Sequence, residues 1–251
     1  MEFAVEAGKL TKKFKGLEAV SGLNLQIRQG EIFGLVGPDG AGKTTTLRLL
    51  STAMEQTSGE ARVLGLDTRR DEEKIRELIG YMPQRFSLYG DLTVNENLDF
   101  FADIYSVTKG PQRQARKEEL LRFTNLAPFT DRKARNLSGG MQKKLGLACN
   151  LIHTPEVLFL DEPTTGVDPI SRREFWRILY RLTGVTIIVS TPYMDEAERC
   201  NRVGLIREGK LLICDTPAEI KKSAGASSLE EAFINIIECF RTPECQITPS
   251  K

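Results

Sequence analysis

Two stretches of this chain carry residue types whose order and spacing suit phosphate chemistry. The first is Gly37-Pro38-Asp39-Gly40-Ala41-Gly42-Lys43-Thr44, which fits G-x-x-x-x-G-K-[ST]. It follows an apolar run and opens a helical pattern. Glycines at these points let the backbone curl, so that several N–H groups converge on phosphate oxygens beside the positive end of a helix. Lys43 is then placed to reach β- and γ-phosphates, and Thr44, followed by Thr45, to offer a hydroxyl to Mg²⁺. The second stretch is Val157-Leu158-Phe159-Leu160-Asp161-Glu162, four apolar residues ending in two carboxylates. Asp161 is suited to hold Mg²⁺ through water, and Glu162 to orient and polarise an attacking water. An apolar run ending in Asp-Glu means little alone. Beside a phosphate cradle it reads as phosphoryl transfer, which needs mainly positioning and charge neutralisation.

A third segment narrows the reading. Leu137-Ser138-Gly139-Gly140-Met141-Gln142 precedes the helical run Lys143–Ile152 and offers a second glycine-bearing helix start with a serine hydroxyl. One nucleotide needs only one such cradle. The segment resembles the signature sequence of the ATP-binding-cassette family, and the resemblance covers nearly the whole chain. Met141 stands where the family more often has Gln, while Ser138 and Gly140 hold the phosphate-facing positions.

The resemblance implies further roles. Phe14 matches the aromatic residue that stacks on adenine, although a core phenylalanine would read the same way in sequence. Gln84, in Tyr81-Met82-Pro83-Gln84, matches the glutamine that touches Mg²⁺ and links catalytic core to helical subdomain. Asp168, in Gly166-Val167-Asp168-Pro169, matches a loop that communicates across a dimer of cassettes. Leu88–Leu98 and Ser228–Phe233 resemble the exporter branch, in which the region after Gln84 docks a membrane-spanning subunit. The family thus implies Mg-ATP as ligand, a second cassette and an exporter subunit as partners, and a cytoplasmic place on the inner face of the membrane.

One family position departs. After the run Val185–Ser190 the family usually has a histidine at the γ-phosphate; here the chain reads Ser190-Thr191-Pro192-Tyr193. Pro192 has neither a side-chain donor nor a backbone N–H. Either Glu162 suffices for turnover, or the site hydrolyses slowly and pairs with an intact cassette. The chain's only histidine, His153, precedes Thr154-Pro155 and reads as structural. Asp39 stands where asparagine is common, facing either the phosphates or the outside. The rival readings are a regulatory nucleotide-binding module and a cassette ATPase acting on DNA or ribosomes. The latter usually shows long heptad insertions or a second P-loop, neither of which occurs here.

The elements that must hold these residues follow from the apolar pattern. Buried strands are predicted at Ile32–Val36, Ile79–Met82, Val157–Leu160 and Val185–Ser190, alternating with helical segments. That is an α/β fold with a RecA-like P-loop core and a mainly parallel sheet. The first thirty residues read as short antiparallel strands, and Val203–Ile206 with Leu211–Cys214 as a hairpin around Glu208-Gly209. From about Val94 to Ala148 the pattern is helical, with Thr93 and Glu96 as a capping box. The basic stretch Gln112–Arg135 is expected to be an amphipathic helix with a solvated face. The expected organisation is one cassette over residues 1–240, including a helical signature subdomain at about 85–150, and a tail or linker at 241–251.

Composition sets the remaining bounds. At 251 residues with 40% hydrophobic and 27% charged, the chain can bury a large core. With 35 basic against 34 acidic residues it has no global attraction to nucleic acid. Its longest apolar runs are strand-length, well below the ~20 residues of a membrane helix. Its five cysteines lack zinc or redox spacing and are expected to be reduced thiols.

Overall fold

The computed structural model describes residues 2–85 and 88–239. The tail at 241–251 and Cys245 lie outside the described residues, as do Phe86 and Ser87 within the segment that follows Gln84. Among the described residues the strands form two sheets. The larger has the order β10-β9-β3-β8-β7-β6. Its strands are β3 (Ile32–Val36), β6 (Ile79–Met82), β7 (Val157–Asp161), β8 (Thr186–Thr191), β9 (Arg202–Arg207) and β10 (Lys210–Asp215). All neighbours run parallel except β9 and β10, which pair antiparallel through a left-handed turn at Glu208 and Gly209.

The smaller sheet is antiparallel, in the order β2-β1-β4-β5. Its strands β1 (Phe3–Phe14) and β2 (Leu17–Arg28) have 12 residues each, with β4 (Ser58–Val63) and β5 (Leu66–Asp67) beyond. The antiparallel character agrees with the sequence, but the strands are long where short ones were expected. Register shifts between Ala7 and Leu10 and between Leu10 and Lys12 interrupt the apolar alternation, so one bent strand reads as several.

Alternation along the parallel strands divides the interior in two. Phe33, Leu35, Val157, Phe159 and Ile188 pack with the antiparallel sheet and with Leu47, Leu49 and Leu50 of α1 (Lys43–Leu50). Leu158, Leu160, Ile187, Val189 and Leu205 face the opposite way. They pack with α5 (Gly139–Leu151), α6 (Pro169–Tyr180) and the helices α3 (Val94–Ile104), α4 (Pro111–Phe123), α7 (Met194–Ala197), α8 (Pro217–Ser223) and α9 (Leu229–Cys239). Ile75 of α2 (Glu72–Leu78) joins the first cluster instead.

The helical segment is built as the sequence indicates at its start. Thr93 accepts from the Glu96 N–H, and the Glu96 side chain accepts from the Thr93 N–H, closing the capping box of α3. The basic stretch Gln112–Arg135 differs from expectation. Its helix α4 stops at Phe123, because Asn125 turns left-handed at φ 58 and Pro128 follows. Two 3-10 turns, Ala127–Phe129 and Ala134–Asn136, replace the rest. Nor is the basic face wholly solvated. Arg113 and Lys117 are buried, the first paired with Asp99 and Asp103, the second with Asp99 at 2.7 Å.

Cys149, Cys200 and Cys214 are free thiols, with burial raising the Cys200 value to about 12 and the Cys214 value to about 11. Cys239 is disulfide-bonded, which corrects the expectation of a reduced thiol at that residue. Among the described residues no helix is long and apolar enough to cross a membrane.

Candidate functional site

The site lies at the carboxyl ends of β3, β7 and β8. The loop leaving β3 turns under close backbone contact: a Cβ at Gly37 would stand 2.1 Å from the Ile206 carbonyl oxygen. A Cβ on Gly42, at φ 104, would stand 2.4 Å from the Ala19 carbonyl oxygen. Only glycine fits either position. No side chain caps the start of α1, so its first N–H groups remain available to an anion.

Lys43 folds back into this loop. Its buried ammonium donates to the carbonyls of Gly37 at 2.8 Å and Pro38 at 3.0 Å. It also pairs with Glu162 at 3.3 Å. Asp39 points outward, 94% exposed and 3.9 Å from the Lys43 ammonium, which resolves the two orientations the sequence left open. Pro38, Gly40, Ala41, Thr44 and Thr45 complete the loop and the first turn of α1.

The carboxylates arrive by strand alternation. Asp161 shares the face of Val157 and Phe159, the face that looks at α1. There its Oδ1 accepts from the Thr44 hydroxyl at 3.0 Å and from the Ser190 hydroxyl at 2.6 Å. Its Oδ2 is buried without a partner. An orphaned carboxylate oxygen beside a threonine hydroxyl fits a hard, oxygen-seeking cation such as Mg²⁺. Among the described residues there is no group of three or more His, Cys, Asp or Glu able to hold a metal. The remaining ligands would accordingly be phosphate and water oxygens, as Mg²⁺ prefers.

Glu162 sits just past the strand with a left-handed backbone, φ 45, uncommon for a non-glycine residue and a frequent mark of functional sites. Its N–H points to Ser190, 3.1 Å from the carbonyl and 3.0 Å from the hydroxyl oxygen. Its Oε2 accepts from Gln84 Nε2 at 2.7 Å, which brings the sequence-assigned glutamine to the carboxylate pair. The Gln84 carbonyl accepts in turn from Lys143 on α5, at 3.1 Å. Burial depresses the Lys143 pKa, against the opposing pull of Asp161 and Glu162.

Behind Pro192 lies a buried tether absent from the sequence reading. The fully buried Glu196 accepts from the Thr164 hydroxyl and, at 2.7 Å, from the Thr191 hydroxyl. Arg172 stands 3.5 Å away and stacks its guanidinium over Tyr193. The network joins the segment after Glu162 to the loop that carries Pro192. A single Glu in a run of Asp and Glu gave no signal for it.

The other residues named from sequence are placed apart from this cluster. Phe14, at the end of β1, is 40% exposed beneath the Lys12 ammonium, so the core-phenylalanine reading is set aside. Ser138 caps α5 by accepting from the Met141 N–H at 3.3 Å. Gly140 is pressed against Ser171, which a Cβ would approach to 2.6 Å, while Gly139 is open. Asp168 caps α6 by accepting from the N–H groups of Ser171 and Ile170, and the Ser171 bond above all lowers its carboxyl pKa. His153 is structural: Nε2 lies 2.9 Å from the Ile79 carbonyl and the ring stacks on Tyr105.

A glycine cradle at one parallel strand and a carboxylate pair at a neighbouring one have the form of a P-loop nucleotide site. Residues 20–165 match the ABC transporter family, and the chain belongs to that family. It is 43% identical over 246 residues to the probable multidrug ABC transporter ATP-binding protein YbhF of Escherichia coli, covering 94% of this chain and 42% of that protein. The chain therefore spans less than half the length of that relative. It is 38% identical over 231 residues to the daunorubicin/doxorubicin resistance ATP-binding protein DrrA of Streptomyces peucetius, covering 90% of this chain and 69% of DrrA. Its fold superposes on the dimeric, post-hydrolysis ATP-binding cassette MJ0796 bound to ADP and phosphate, with a TM-score of 0.78 and 27% identity. That match covers 84% of this chain and 98% of MJ0796.

Proposed function

We propose that this chain binds and hydrolyses Mg-ATP as the motor cassette of an exporter, closing on a second cassette and driving a separate membrane subunit. The observation that carries the reading is the convergence of Lys43, Thr44, Asp161, Glu162 and Gln84 at one strand edge.

In this reading the loop Gly37–Thr44 holds the phosphates by its N–H groups, and Lys43 exchanges Glu162 for phosphate oxygens. Mg²⁺ would neutralise phosphate charge between Thr44, Asp161 and Gln84. Glu162, freed from Lys43, orients water and takes up its proton; Phe14 stacks on the adenine. Ser138, Gly139, Gly140 and Asp168 serve the nucleotide of the opposite cassette. YbhF is named as part of a probable multidrug transporter and DrrA for daunorubicin/doxorubicin resistance, and drug export at the inner face of the cell membrane is the work proposed here.

A cleft of about 800 Å³ supports a membrane partner. Ile79, Tyr81, Ile104, Tyr105 and Val107 line it, where the end of α3 meets β6, and Ile104 is 56% exposed. Ser51, Arg76, Glu77 and His153 also line it, and a mixed wall of this kind suits an inserted amphipathic helix.

Pro192 favours a second reading within the same class, a slow cassette that works beside an intact one. The test is Mg-dependent ATP hydrolysis over a range of protein concentrations. Turnover should rise faster than linearly with concentration and vanish in Glu162→Gln. If Pro192→His raises a low basal rate, the slow reading holds; equal rates leave the homodimeric motor. A chain that neither binds nor hydrolyses ATP refutes both.

A further inference from the structure

Ser190 has no part in the scheme above, yet it touches both acidic residues of the site. Its position follows from register. On β8 it pairs with Asp161 on β7, just as Ile188 pairs with Phe159. It therefore shares the α1-facing side with Asp161, and it is completely buried. A serine among Ile187, Ile188 and Val189 would be an unfavourable choice for packing alone, since a buried hydroxyl must find partners.

The partners it finds are specific. Its hydroxyl donates to Asp161 Oδ1 at 2.6 Å, a short charge-assisted bond. The Ser190 hydroxyl oxygen in turn accepts from the Glu162 N–H at 3.0 Å, and that N–H also reaches the Ser190 carbonyl at 3.1 Å. With Thr44 as second donor, both at Oδ1, the carboxylate of Asp161 has one oxygen occupied and the other bare. A carboxylate can rotate about its last bond; two donors on one oxygen stop it.

We infer that Ser190 is a positioning residue for cation-dependent nucleotide binding: it pins Asp161 Oδ1 so that Oδ2 faces the divalent cation, and it helps hold Glu162 in its left-handed turn. The inference rests on the Mg-ATP reading given above. Ser190 itself touches neither nucleotide nor metal. Loss of its hydroxyl leaves the Glu162 N–H still bonded to the main-chain carbonyl, so the larger effect falls on Asp161.

The experiment measures binding of a fluorescent ATP analogue to the purified chain, in EDTA and in Mg²⁺, for wild type, Ser190→Ala and Ser190→Thr. Affinity in EDTA should be the same in all three. The gain in affinity on adding Mg²⁺ should shrink about tenfold in Ser190→Ala, the scale of one hydrogen bond to a charged group. It should return in Ser190→Thr, which keeps the hydroxyl and suits a strand. At saturating Mg-ATP, kcat should fall in the alanine variant while the half-saturating Mg²⁺ concentration rises.

An alanine variant with the wild-type Mg²⁺ gain overturns the inference. So does one that loses affinity equally in EDTA, because that marks a general packing role. A folded threonine variant that restores nothing overturns the role of the hydroxyl. Should wild type itself bind no nucleotide, the motor reading fails first and this one with it; a wild type that binds separates the two.

Discussion

His153 shows how a single side chain can carry a pH dependence without any catalytic part. Its ring stacks on Tyr105 at 3.7 Å and bonds the Ile79 carbonyl, and its Nδ1 is buried with no partner. Burial, opposed by the Ile79 bond and aided by nearby Arg116, holds its pKa below the ordinary 6.5. Between that lowered value and 6.5 the unfolded chain binds more protons than the folded one. Stability from the neutral ring is thus complete above 6.5 and drains away as pH falls through it. Thermal unfolding of wild type and His153→Gln at about pH 7.5 and about pH 5.5 checks this. The wild type should lose more of its midpoint than the variant, which keeps a donor but does not titrate; equal losses would contradict it.

Residues of this kind were hard to read from sequence. Lys43, Thr44, Asp161 and Glu162 stand out because their chemistry requires a fixed local spacing, and the structure brings them to one edge. Ser190 reaches Glu162 across twenty-eight positions of the chain, and Glu196 reaches Thr164 across thirty-two. Nothing local marks them. Phe14 is intermediate: its type alone fits a core residue as well, and only its exposure removes it from the core.

Among the elements, α3 and α4 share one apolar cluster through Leu98, Ala102, Leu120 and Leu121 and are also joined by buried charges. Arg113 donates to Asp99 and Asp103, and Lys117 to Asp99, with both cations almost wholly buried. Removing one partner of a buried cation costs far more than a surface pair is worth. Asp99→Ala should destabilise the chain by about 2 kcal/mol, less than a fully buried pair because Asp99 is partly exposed. Asp103→Ala should cost less, since Asp103 serves Arg113 alone of the two buried cations. Urea unfolding of both variants tests the order, and an equal or reversed order would contradict it.

The same elements show what the apolar pattern could reveal. The parallel strands were legible to within one residue because burial on both faces makes each an uninterrupted apolar run. The end of α4 was not, since an Asn in a left-handed turn looks like any polar residue of a basic stretch. The length of β1 and β2 was hidden for the opposite reason: the strands continue where bulges break their alternation.

At the scale of the whole molecule, the parallel sheet is covered on both sides by separate apolar clusters. The antiparallel sheet, α1 and α2 lie on one face, and α3 to α9 on the other. Strands β3, β7 and β8 are therefore sealed twice over, while α3 and α4 touch only one cluster and add ion pairs to each other. In the language of amide hydrogen exchange, these are two depths of protection. Deuterium should enter Val94–Phe123 through openings smaller than global unfolding, and reach Val157–Asp161 and Thr186–Thr191 only when the whole chain unfolds. Exchange in α3 and α4 as slow as in β7 would show instead that the chain opens as one unit. If the two depths exist, the cassette can flex its helical layer while the strand edge bearing Asp161 and Glu162 keeps its geometry.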